Sequence, residues 1–119
     1  MRPTTTYTAL IGALIARLRR GLGLQQGQLA AVVGVNQSSW SKIEAGGTAI
    51  SVEYVAVLAP TLKASPGELF STVDRIVAHA EAQGVTVYRQ RADVPPEAVQ
   101  GQLSNRALTA LVEAALADR

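Results

Sequence analysis

Apolar residues return every three or four positions from the start of the chain to about residue 80, and polar residues fill the gaps between them. Leu10, Leu14, Ile15 and Leu18 place a first helix over residues 8–20, which Gly21 and Gly23 close. Leu29 with Val33, and Trp40 with Ile43, mark two short helices that each bury one stripe on a shared core. Gly34 lies between them, where a sharp helix-to-helix turn tends to require positive φ, and Asn36 is placed to cap the second. After a stop at Gly46 and Gly47, Ser51 caps a fourth helix carrying Val52, Val55 and Leu58, and Pro60 ends or kinks it. Ser65-Pro66-Gly67-Glu68 then supplies a cap, a proline for the first helical position and the glutamate of a capping box. The stripe Leu69, Phe70, Val73, Ile76, Val77 and Ala80 predicts a fifth helix that runs on to Gly84.

The period changes to two over residues 85–91, VTVYRQR, which reads as one strand. No second strand candidate is visible, so the expected partner is the same strand of another copy, and a homodimer follows. Residues 92–103 read as a linking loop with one helical turn at 97–100. Ser104 caps a last helix over residues 104–117, whose apolar face needs cover from the fifth helix or another protomer. The expected dimerisation residues are Val85, Val87, Tyr88, Leu108, Leu111, Val112 and Leu116. Residues 1–7, polar and carrying a proline, are expected to form a flexible arm.

Composition narrows the chemistry. With 119 residues the chain supports a real core, and with no cysteine and one histidine, His79, it offers no thiolate metal site and no cysteine nucleophile. No carboxylate pair, nucleophile-base set or phosphate-binding glycine loop can be located, so an enzyme, a catalytic residue, a metal and a cofactor are not expected. Net charge is +2, but residues 1–63 carry +4 and residues 64–119 carry −2. A basic front half suits a nucleic-acid surface there and self-association behind it. The apolar run at residues 9–16 is too short to span a bilayer, which leaves a cytoplasmic protein as the expectation.

Residues 26–45, QGQLAAVVGVNQSSWSKIEA, resemble the helix-turn-helix of the XRE family, the type found in Cro-like phage repressors and many bacterial regulators. Gln26 opens the first helix of the pair, Ala30 is the small residue where the helices approach, and Gly34 sits in the turn. Leu29, Val33, Val35, Trp40 and Ile43 take the apolar positions. The likeness extends over about residues 8–70, including the segment SPGELF. It implies a five-helix, lambda-repressor-like DNA-binding domain at 8–70; with the strand and last helix read above, the expectation is a mainly α chain whose residues 71–119 form a small strand-plus-helix dimerisation region.

The resemblance also implies that the helix after Gly34 enters the major groove of double-stranded DNA. Gln37, Ser38 and Ser41 or Lys42 would face base edges, Asn36 and Ser39 complete the polar face, and Gln26 would hold a backbone phosphate. Arg17 and Arg20 divide evenly between phosphate contacts and ordinary surface charge. Arg19 and Glu44 fall where the family often has an ion pair, which would brace the first helix against the third. Two residues depart from the pattern. Trp40 is larger than the usual aliphatic residue, so the recognition helix is expected at a shifted angle or with part of the indole exposed. Gly27 weakens the start of its helix by about 1 kcal/mol relative to alanine. The functional expectation is a repressor acting as a homodimer on a palindromic operator. The alternatives are an antitoxin whose residues 71–119 hold a toxin, and an adaptor that binds another protein through the same fold.

Overall fold

The computed structural model describes residues 2–117; Met1 of the expected arm, and Asp118 and Arg119 of the expected C-terminal region, lie outside the described residues. The order is β1 (Thr4–Thr6), α1 (Tyr7–Gly21), α2 (Gln26–Val33), α3 (Gln37–Glu44), α4 (Val52–Leu58), α5 (Pro66–Ala82), β2 (Thr86–Tyr88) and α6 (Asn105–Ala117), with 3-10 turns at Arg91–Asp93 and Pro96–Gly101. The chain is mainly helical, with one small sheet.

The α1 helix is the central element because it is apolar on nearly every side. Leu10, Ile11, Leu14 and Ile15 are all buried, and α3, α5, α6 and β1 pack around them. Thr6 caps it, its hydroxyl accepting from the Ala9 amide at 3.1 Å. Close approach to α3 depends on Gly12: a Cβ there would stand 2.4 Å from the Ile43 carbonyl oxygen. Only hydrogen fits, so the end of α3 lies directly against the α1 backbone.

Local signals account for the remaining helix ends. Gly34 takes φ +79 between α2 and α3, and the Val35 amide then donates back to the Ala30 carbonyl at 3.0 Å. Asn36 Oδ1 accepts from the Ser39 amide at 2.8 Å, and Ser51 Oγ from Tyr54 at 3.1 Å. The α4 helix stops at Leu58 before Pro60. Ser65 and Glu68 close a reciprocal capping box at 3.0 and 3.1 Å. Gln25 N donates to Gln28 Oε1 at 2.7 Å, which supports the start of α2 beside Gly27.

Two expectations for the termini are overturned. Residues 4–6 are not a flexible arm: Thr4, Thr5 and Thr6 are buried as β1, which pairs in parallel with β2 in the register Thr4–Thr86, Thr5–Val87 and Thr6–Tyr88. The strand expected over 85–91 therefore finds its partner within the chain and is ordered as a strand only at 86–88. On its other edge, Thr4 accepts from the Leu103 amide at 2.9 Å, and its hydroxyl donates to the Ala98 carbonyl at 3.1 Å. β1 is thus held from both sides, and the backbone demand that called for a second copy is met without one.

The last helix is likewise covered from within. Leu108 and Val112 of α6 are buried against α1 and α5, Val85 is buried beside β2, and Val87, Leu111 and Leu116 pack half-buried on the same core. Tyr88 is half-buried. Of the seven residues expected to dimerise, Val87, Leu108, Leu111, Val112 and Leu116 pack on the chain's own core, in the seam that joins residues 71–117 to the helical domain. An ion pair between Arg17 and Glu113 crosses the rim of that seam.

Two measurements check this packing. Removing residues 1–6 deletes the α1 cap and β1 together and is expected to lower the unfolding free energy in urea by at least about 2 kcal/mol, whereas a flexible arm would leave it unchanged. Gly12→Ala is expected to cost roughly 1–3 kcal/mol by overpacking against the α3 backbone, seen as a lower midpoint of thermal unfolding.

Candidate nucleic-acid interface

Helical spacing gives α3 two faces of different character. Trp40, Ile43 and Glu44 turn inward and are buried; Gln37, Ser38, Ser39 and Lys42 are exposed, and Ser41 is half-buried at the margin. Across from them Gln26 begins α2. Gln26, Gln37, Ser38, Ser41 and Lys42 together line one shallow, open depression. Five of the nine residues expected to touch DNA therefore share one surface.

The other four do not line it. Asn36 is exposed, but its Oδ1 is engaged in capping α3. Ser39 is exposed beside the depression without lining it. Arg17 is occupied by Glu113, away from this surface. Arg20 is exposed and borders a neighbouring hollow, which also includes Gln26 and Ser41.

Beneath the depression, one carboxylate organises the elements that form it. Glu44, 8% exposed, accepts from Arg19 Nε at 2.8 Å and Nη2 at 3.1 Å, from Gln26 Nε2 at 3.0 Å and from Trp40 Nε1 at 2.7 Å. Arg19, itself 9% exposed, donates its remaining Nη1 to the Leu24 carbonyl at 2.9 Å. The bidentate Arg19–Glu44 pair thus joins α1 to α3 and also fixes the turn leading into α2. Gln26 is held by its amide nitrogen, which sets the direction of the group that faces the depression.

Trp40 does not expose its indole, contrary to one of the two expectations. It is fully buried, with its ring in the core and its N–H on Glu44 one turn later. A large side chain is accommodated here because a buried carboxylate receives its polar atom. The aliphatic family pattern gave no sign of this bond, since aliphatic residues carry no donor. Gly12 was also missed; its signal in the sequence is a glycine within an otherwise apolar helix face.

Among the described residues, no group of three or more histidines or acids converges where a metal could bind. No helix among them is long and apolar enough to cross a membrane.

With this geometry in place, comparison with known proteins assigns the class. The helix-turn-helix domain family matches residues 10–71, more than half of the chain, and the protein belongs to that family. Among solved structures it is similar to the clp gene regulator ClgR from Corynebacterium glutamicum, with a TM-score of 0.62 and 25% identity over 68% of this chain and 86% of that one. None of the curated proteins matches the chain.

The role of Glu44 yields a direct test. Glu44→Ala leaves Arg19 buried without its partner and is expected to lower stability by about 3–5 kcal/mol in chemical unfolding. Trp40→Phe keeps most of the ring volume but removes one donor to the carboxylate, and a smaller loss of roughly 1–3 kcal/mol is expected.

Proposed function

We propose that the protein is a DNA-binding transcriptional regulator without enzymatic activity, working in the cytoplasm as a repressor that occludes a promoter. The observation that carries this reading is the depression where Gln26, Gln37, Ser38, Ser41 and Lys42 meet on the outer face of the helix-turn-helix. The family assignment and the similarity to ClgR, a protein named as a gene regulator, support it.

The chemistry of that face suits duplex DNA. Gln37 can pair bidentately with adenine, Ser38 and Ser41 can donate to or accept from base edges, and Lys42 can reach guanine or a phosphate. Gln26, anchored on Glu44 through its amide nitrogen, still has a second N–H for a backbone phosphate. Positive charge on this face is sparse: α3 carries one lysine and no arginine. A single domain would therefore bind weakly, and a homodimer on a palindromic operator, with half-sites about 34–36 Å apart, would double the contacts. The self-association surface then lies outside Val85 and the buried residues of α6. A segment for holding a toxin finds no comparable support, because residues 71–117 pack into the chain's own core.

Selection from random duplexes followed by titration in increasing salt tests the reading. Gln37→Ala is expected to relax sequence preference, and Gln26→Ala to weaken binding to every sequence. Wild type and both variants binding all duplexes equally, without salt dependence, would refute it. Light scattering at micromolar concentration is expected to give twice the chain mass; a monomer with the selected duplex present would remove the dimer from the proposal.

A further inference from the structure

The depression on α3 does not end at α3. Gln26 and Ser41 also line a second hollow between α1, α3 and α6, which they share with Arg20, Asn105 and Thr109 and with the mutually paired Arg19 and Glu44. The two concavities therefore adjoin at Gln26 and Ser41, with Lys42 on one side and the start of α6 on the other. Asn105 and Thr109 lie beyond residues 10–71, the part matched by the family.

We infer that the first turn of α6 extends the DNA interface, with Asn105 and Arg20 holding a backbone phosphate beside the groove read by α3. This rests on the DNA-binding reading above. Asn105 is exposed, and among the described residues its side-chain amide makes no hydrogen bond, so both of its N–H groups are open to an acceptor. The Thr109 hydroxyl is already turned back onto the Asn105 carbonyl at 2.9 Å and acts as a wall of the hollow. Arg20, at the end of α1, is an exposed cation that lines the same hollow. A phosphate is the acceptor that fits: it is anionic, phosphates line both rims of a groove that α3 would read, and α3 itself supplies little positive charge for them.

Burial explains why α6 can do this. Leu108 and Val112 anchor the helix on α1, so its first turn is fixed relative to α3 through the rigid core. The C-terminal region thereby acts as part of the DNA-binding unit.

The test uses the full chain and a duplex selected by the wild type. Asn105→Asp places a negative charge in the hollow and is expected to weaken binding roughly five- to tenfold, equally for all sequences. Asn105→Lys is expected to tighten it and to steepen the salt dependence by about one counterion. An aspartate in the first turn favours the helix, so weakened binding by that variant does not report lost folding; circular dichroism checks it. Both variants binding as wild type with the same salt dependence, while Gln37→Ala still relaxes sequence preference, would overturn the inference and leave the recognition face intact. Failure of the wild type to select any duplex would overturn the underlying reading, and this inference with it.

Discussion

Four hydrogen bonds converge on the Glu44 carboxylate, and the relation between α1, α2 and α3 depends on them. A negative charge at the C-terminal end of a helix is disfavoured by the helix dipole, and burial adds a desolvation cost. Arg19 offsets both with a bidentate contact, and Trp40 and Gln26 occupy the remaining acceptor capacity. The result is directional: α1 supplies the cation, α3 the anion, and α2 an amide that cannot turn away from the surface. A purely apolar contact among these helices would hold them together but would leave their rotation loosely specified.

Steric closeness complements this electrostatic link. Gly12 lets the carbonyls at the end of α3 rest on the α1 backbone, and Gly46, at φ +80, brings the following loop against Ala9 in the same way. The second helix of the helix-turn-helix, α3, is therefore seated on the most buried element of the molecule. α6 also packs on α1 and completes the core, while β1 joins β2 and residue 103 into a clasp between the two ends of the described chain. The C-terminal region is thus continuous with the helix-turn-helix domain.

Much of the helical frame was legible because its determinants are local. The 3.6-residue period, Gly34 with its left-handed conformation, and the caps at Asn36, Ser51, Ser65 and Ser104 each act within a few residues of chain. The polar face of α3 followed from the same period. The grouping of Gln26 with Gln37, Ser38, Ser41 and Lys42 also needed the turn angle, which the family pattern supplied. The indole–carboxylate bond could not be read, since spacing placed Trp40 correctly in the core without indicating where its N–H would go.

What the sequence determined by itself was the set of helices, the turn between α2 and α3, and the side of α3 left polar; each rests on neighbours close in the chain. Only the tertiary structure decided what covers the ends. Thr4–Thr6 has no apolar alternation, and its partner lies about eighty residues away, so neither composition nor period announced a strand. The apolar face of α6 needed a partner on any reading, and periodicity gives the width of such a face but not the identity of its cover. Packing on α1 and α5 settled that within the chain, and in doing so brought Asn105 beside Ser41.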